Sequence, residues 1–324
     1  MIRAGIIGAG YIAQAHARAY AALPQAHLAV IADSRLDRAE RLAGLCQARA
    51  VADLDSLLSA GVDVLSVCTP TPAHAELAIA AMRAGVHVLC EKPIARTVAQ
   101  AEAMIQTARE AGVKFMVGHV SRYEADHRKS KEVVERGDLG QLRMGFQSIT
   151  GPFPEWSSAG WFADVAQSGG PVVDLAIHSF DYLLWMFGCR ATRVCAVGVR
   201  GKINVHTYAL VNIRFQDGGI GLVEVSWAHP RAQSLLVRTE LAGTRGRLHW
   251  DYDGIASMQV IRDEAGKRNL VMVGEDSFAA EIADFVRCVE EDARPSIPGE
   301  EALEALRVAL AALESLETGK AIEL

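Results

Sequence analysis

The sequence predicts a two-domain α/β protein: an N-terminal doubly wound parallel sheet, then an α+β domain built on a large, mostly antiparallel open sheet. Three observations predict it. Up to residue 119, short apolar runs alternate with helical segments. A glycine-rich turn joins the first run to the first helix, and after residue 190 six strand patterns follow one another with no helix between them. Apolar runs separated by helices imply parallel strands covered on both faces. Serial strands with turns such as Gly218-Gly219 and Thr244-Arg245-Gly246 imply antiparallel pairing. At 324 residues the chain is long for one core. The change of rhythm sets the expected domains at 1–119 (dinucleotide-binding) and 120–324 (substrate-binding).

The elements follow in order. Strands are expected at Ile2–Ile7, His27–Ala32, near Ala50, and at Asp63–Cys68, Val86–Cys90 and Lys114–Gly118. Between them lie helical patterns ending at Ala22 and spanning Asp37–Leu45, Ala73–Ala84 and Val98–Ala111. Beyond residue 120 come a helix (Glu124–Arg136), a strand (Leu142–Ile149) and an irregular stretch, Gly151–Gly170, holding Phe153, Trp156 and Trp161. A long helix is expected over Val172–Phe187. Six strands follow: Thr192–Val199, Tyr208–Phe215, Gly221–Trp227, Leu235–Ala242, Arg247–Asp251 and Ser257–Ile261. Helices Ala279–Glu291 and Glu300–Glu317 close the chain.

Composition narrows the function. Half the residues are apolar, and 33 basic against 39 acidic side chains leave a net charge of −6. No basic stripe marks a nucleic-acid or membrane-surface binder, so a small-molecule partner is expected. Cysteines 46, 68, 90, 189, 195 and 288 form no C-x-x-C pair and read as buried, reduced thiols, with no metal site expected. No run reaches the ~18 apolar residues of a membrane span. No export-signal pattern precedes the first strand, so a cytoplasmic location is expected.

Gly8-Ala9-Gly10-Tyr11-Ile12-Ala13 is G-x-G-x-x-A between a strand and a helix. Gly8 permits the tight turn, Gly10 lets backbone approach a pyrophosphate, and Ala13 allows close helix–strand packing. The phosphates would sit at the positive end of the helix, beside Tyr11 and Ile12. Asp33, at the end of the second strand, suits the adenosine ribose hydroxyls and favours NAD. Arg35 and Arg38 could instead cradle the extra phosphate of NADP. Thr69-Pro70-Thr71-Pro72-Ala73-His74 and Glu91-Lys92-Pro93 follow apolar strands at their carboxyl ends, where open α/β sheets bind ligands. Thr69, Pro70, His74, Glu91 and Lys92 are therefore expected at the cofactor. In Gly169-Gly170-Pro171-Val172-Val173-Asp174-Leu175-Ala176-Ile177-His178, a continuous helix would put Asp174 and His178 on one face. A buried Asp–His brace and a proton-transfer pair both fit that spacing.

This ordered set resembles the Gfo/Idh/MocA family, which includes glucose–fructose oxidoreductase and inositol dehydrogenases. Thr-Pro-x-x-x-His, Ser226-Trp227 and Gly243-Thr244-x-Gly246 extend the likeness over essentially the whole chain. The resemblance implies that Lys92, Asp174 and His178 are catalytic, and that the open sheet of the second domain builds a homodimer or homotetramer. It implies hydride transfer between NAD(P) and a secondary alcohol of a sugar, polyol or inositol. Reduction of a non-sugar substrate, as in similar trans-dihydrodiol dehydrogenases and biliverdin reductases, and non-catalytic dinucleotide sensing are the alternatives. His119, Arg122, Tyr123, His127, Trp156 and Trp161 could shape a sugar pocket, with Arg122, Tyr123 and Trp161 the expected substrate contacts. Ser168, Pro171 and Glu124 depart from the common family pattern near that pocket.

Overall fold

The computed structural model describes residues 1–155, 160–201, 206–232, 234–252, 258–262, 266–270, 274 and 276–324. It divides into two compact units, Met1–Tyr123 with Glu275–Leu303, and Glu124–Gly274 with Glu304–Leu324. A single cut at 119/120 therefore misses the return of the chain into the first unit. Local patterning marks where an element starts but carries no information on which core its apolar face joins.

In the first unit β1 (Ile2–Ile7), α1 (Tyr11–Ala22), β2 (Ala26–Ala32), α2 (Leu36–Cys46) and β3 (Arg49–Val51) make one half. A short helix, α3 (Leu54–Leu58), leads to β4 (Val64–Val67), α4 (His74–Arg83), β5 (His87–Glu91), α5 (Val98–Ala111) and β6 (Phe115–Gly118). All strands pair in parallel, in the order β3-β2-β1-β4-β5-β6. The order reverses between β1 and β4, where open α/β sheets bind ligands. Helix ends follow local chemistry: Thr97 caps α5 in a capping box with Gln100, and Gly112, at φ +66°, ends it.

The second unit holds α6 (Ala125–Glu135), β7 (Leu142–Thr150) and the short helices α7 (Val165–Ser168) and α8 (Gly170–Asp174). Then come α9 (Ile177–Phe187), β8 (Ala191–Arg200), β9 (His206–Phe215), β10 (Ile220–Ser226), β11 (Leu236–Gly243), β12 (Gly246–Asp251), β13 (Met258–Arg262) and β14 (Gly266–Leu270). Last are α10 (Ser277–Glu290), which belongs to the first unit, α11 (Gly299–Thr318) and β15 (Ile322–Glu323). The nine strands run β14-β13-β12-β11-β7-β10-β9-β8-β15, antiparallel except for the parallel pair β7–β10. One face carries Val211, Ile213, Val223, Val225, Leu241 and Leu248, packed in one core with Phe180, Leu183 and Val308. The other face holds Cys195, Val197 and Val199 of β8. Cys195 is thus exposed, against the expectation of a buried thiol, because it falls on the outward register of its strand. All six cysteines are free.

Two further differences matter. The helix expected over Val172–Phe187 is broken at Leu175–Ala176 into α8 and α9. The chain also adds α3, β14 and β15, which are short and weakly patterned. Among the described residues no helix is long and apolar enough to cross a membrane.

Candidate active site

The carboxyl edge of the parallel sheet collects the motifs of the first unit. Gly8 has φ +92°, and a Cβ there would stand 2.7 Å from the Cys68 carbonyl carbon and 2.8 Å from the Thr69 nitrogen. Both facts demand glycine. Gly10 caps α1 without a side-chain hydrogen bond, and no heavy atom lies within 4 Å of where its Cβ would be. Ala13 is wholly buried. The turn therefore leaves the positive end of α1 open to an anion. Tyr11 is exposed and Ile12 half-buried beside it.

Asp33 sits against this turn. Its Oδ2 accepts the Ala9 N–H at 2.7 Å and its Oδ1 accepts the Arg35 N–H at 2.9 Å. Each carboxylate oxygen retains a lone pair for a ribose hydroxyl. The Arg35 guanidinium donates to Asp37 at 3.3 Å, and Arg41 reaches the same carboxylate at 3.1 Å. The hydrogen bond from Arg35, with the charges of both arginines, holds the Asp37 carboxyl below its ordinary value. A 2′-phosphate would have to compete with Asp37 for Arg35. Arg38 is half-buried in the first turn of α2, its N–H on the Arg35 carbonyl at 2.8 Å.

Past β4, the Thr69 hydroxyl is buried with no hydrogen-bond partner among the described residues, and Pro70 is exposed. An orphaned hydroxyl, an open glycine cradle and a placed carboxylate together fit a dinucleotide. His74 differs from expectation. Its Nδ1 lies 2.9 Å from the Pro93 carbonyl and its Nε2 2.8 Å from the Thr69 carbonyl, leaving no free ring nitrogen for a ligand. It clasps the loops after β4 and β5, and burial pushes its pKa down.

Glu91 also turns away from a ligand role. It is 6% exposed; its Oε2 accepts the Lys92 N–H at 3.2 Å, and its Oε1 accepts from His16 Nε2 at 3.0 Å. Burial alone would raise this carboxyl, but the His16 hydrogen bond and the charges of His16, Lys92 and His74 hold it below its ordinary value. Lys92 itself is half-buried, ahead of a cis bond to Pro93. Neither His16 nor Glu281, which completes a buried group with Glu91, was singled out by the motifs. The signal for Glu281 was a lone acid on the apolar face of Phe278-Ala279-Ala280-Glu281-Ile282.

In the second unit, Asp174 ends α8 at 8% exposure and His178 stands half-buried in the first turn of α9. The expected continuous helix between them is interrupted. Ala176 N–H bonds to Pro171 O at 2.8 Å and His178 N–H to Leu175 O at 3.3 Å, so the regular i→i+4 ladder is skipped there. The pair is four residues apart but not on an unbroken helical face.

The expected substrate contacts mostly have internal partners. Arg122 is 8% exposed and its Nη1 donates to Glu301 at 2.6 Å. The Tyr123 hydroxyl donates to Asp284 at 2.7 Å. Trp161 stacks on Phe162 at 4.2 Å, and Phe162 meets the edge of Trp227 at 5.7 Å. His119 is wholly buried. His127 is 3% exposed, with Nδ1 2.9 Å from Asp126 and 3.1 Å from Glu124. Its ring also meets Tyr182 at 4.8 Å and Trp250 at 5.1 Å. Burial would lower its pKa, but hydrogen bonds to the two carboxylates and their charges win and push it up to about 9. Trp156 lies outside the described residues.

Residues 2–119 match the oxidoreductase family with an NAD-binding Rossmann fold, and residues 127–249 match the GFO/IDH/MocA C-terminal domain. The chain belongs to the Gfo/Idh/MocA family. It is 30% identical to myo-inositol 2-dehydrogenase of Thermotoga maritima, over all of this chain and 98% of that protein. It is 32% identical to D-glucoside 3-dehydrogenase of Escherichia coli, over 72% of this chain and 73% of that protein. The crystal structure of an oxidoreductase domain protein from Kribbella flavida superposes with a TM-score of 0.91 at 26% identity, covering 100% of this chain and 99% of that one. This Gfo/Idh/MocA protein is thus an NAD-dependent oxidoreductase, and Gly8, Gly10 and Asp33 stand where such a cofactor can be held.

Proposed function

We propose that this enzyme transfers a hydride between NAD and a secondary alcohol carbon of a sugar, polyol or inositol. The observation that carries the reading is the half-buried cation Lys92, delivered by β5 to the same sheet edge as the glycine turn and Asp33. NAD supplies hydride acceptance or donation when bound. His178 takes the hydroxyl proton as general base, a role suited to an imidazole. Lys92 donates to the oxygen as negative charge develops on it. Asp174 holds substrate hydroxyls or orients His178.

The inositol and glucoside dehydrogenases among its relatives support a polyhydroxylated substrate. The outward sheet face of the second unit, with Val197, Val199 and Ile220 exposed, supports self-association into a homodimer or homotetramer. We place the enzyme in the cytoplasm. The test is a nicotinamide-absorbance screen over inositols, aldoses and glucosides with NAD and NADP. We expect turnover with at least one of them, preferentially with NAD. His178→Ala should lower it at least about a hundredfold with cofactor binding kept. Intact NAD binding with no turnover on any polyhydroxylated substrate would overturn the reading.

A further inference from the structure

Beneath the Glu91-Lys92-Pro93 turn lies a polar group that the hydride-transfer reading does not use. His16 of α1, Glu91 of β5 and Glu281 of α10 are all buried, with one nitrogen or oxygen from each within 4.8 Å of the others. Glu91 is fully engaged. It holds the Lys92 N–H and the His16 ring, and its Oε1 lies 3.2 Å from where a Gly118 Cβ would stand, so it is pressed against β6. Glu281 is the opposite case. It is 0% exposed, and neither carboxyl oxygen has a hydrogen-bond partner among the described residues. The Nδ1 of His16 is likewise buried and unpartnered.

The surroundings decide the charge of Glu281. The titratable groups facing it are Glu91, Asp284, Tyr20, Cys68, Tyr123 and His16. Of these only His16 can carry a positive charge, and its Nε2 already serves Glu91. A second bare carboxylate in this buried space would stand beside Glu91 with only His16, already serving Glu91, to offset it. A carboxylic acid, in contrast, brings a proton donor into a space holding an unpartnered imidazole nitrogen.

We propose that Glu281 is a positioning residue, held as a neutral acid between His16 and Glu91, and that it fixes Glu91 and through it the backbone of Lys92. The proposal rests on the role given to Lys92 above. Burial, then the charges of Glu91 and Asp284, push the Glu281 carboxyl well above its ordinary value, in keeping with this geometry. A raised folded-state pKa means that folding takes up a proton above the unfolded value, so Glu281 costs stability increasingly as pH rises towards its folded pKa.

The test compares the wild-type holoenzyme with Glu281→Gln and Glu281→Leu. Wild type should show the infrared carbonyl band of a protonated carboxyl near neutral pH, and Glu281→Gln should lose it. Glu281→Gln, neutral at every pH, should keep kcat within about threefold. Its melting temperature should gain on wild type as pH rises from 5 to 8. Glu281→Leu should lose tenfold or more in kcat, with the Kd for NAD changed less than threefold. Should the Leu variant fail to fold, the infrared band and the pH-dependent gain of Glu281→Gln decide. Absence of the band, near-normal kcat in Glu281→Leu, or one equivalent of divalent metal that leaves with Glu281→Gln would overturn the proposal. Lys92→Met run beside them separates the two claims: normal turnover there removes the role of Lys92, while the infrared band reports on Glu281 alone.

Discussion

The two sheets of this enzyme handle polar chemistry in opposite ways. In the first unit β4 and β6 are buried at every residue, so neither face of the sheet is open to a ligand. What remains open lies at the strand ends, where Gly8, Asp33, Thr69 and Lys92 stand. In the second unit β8 and β11 carry exposed residues on the outward face, among them Cys195, Val197, Val199 and Arg238. Several of its buried polar groups are tied to one another. His127 is clamped by Asp126 and Glu124, the Trp250 Nε1–H donates to Ser130 at 3.0 Å, and Gln147 donates to Thr239 at 3.1 Å. A sheet covered twice offers only its rim for chemistry, whereas a sheet covered once offers a surface.

That contrast can be broken or sharpened by substitution. The largest effect is expected at the rim. Lys92→Met should depress kcat and kcat/KM together by 10²–10³, about 3–4 kcal/mol of lost stabilisation of developing charge. Titration with NAD should still show binding, since the glycine turn and Asp33 remain. Unchanged steady-state kinetics would show that the rim cation is not used.

Next comes His127, where the second unit should respond in stability. Its folded value near 9 stands above the ordinary 6.5, so its stabilisation is complete below pH 6.5 and is lost as pH rises through about 9. Wild type should therefore lose on the order of 1–3 kcal/mol over that window. Melting curves of His127→Gln should be less stable at pH 6 and lack that slope. A wild-type curve flat from pH 6.5 to 9 would contradict the clamped imidazolium.

Asp33→Ser removes the carboxylate that opposes a 2′-phosphate. Competition binding should show preference moving towards NADP by tenfold or more, about 1.4 kcal/mol. The smallest effect belongs to the open face. Val199 is 63% exposed, and Val199→Ser should change the stability of the unit by no more than about 0.5 kcal/mol. A gel-filtration shift to a smaller species in that variant would mark the face as an interface between copies.

Much of this was legible in the residues. The placement of the glycine turn, Asp33 and Lys92 at strand ends was readable because turn chemistry is local: the small residues and the acid must stand at set distances along the chain. Helix α5 spans Val98–Ala111, as its local pattern led one to expect. Other features were not. His74 and Glu91 carry the right residue type at the right strand end, yet their side chains turn to Thr69, Pro93 and His16. Arg122 and Tyr123 were read as pocket residues, and their partners Glu301 and Asp284 lie more than a hundred and fifty positions further along.

The sequence by itself determined the class of fold, the cofactor turn and the candidate chemistry, because hydrophobic period and turn residues act over a few neighbours. Tertiary structure decided that α10 returns to the first core, that β7 lies mid-sheet beside a parallel β10, and that the helix expected over Val172–Phe187 breaks at Leu175–Ala176. It also decided that Glu281 meets Glu91 and His16 in a buried interior. Each of these depends on which distant segments share a core, and burial, hydrogen-bond partners and carboxyl protonation are set only once those segments have met.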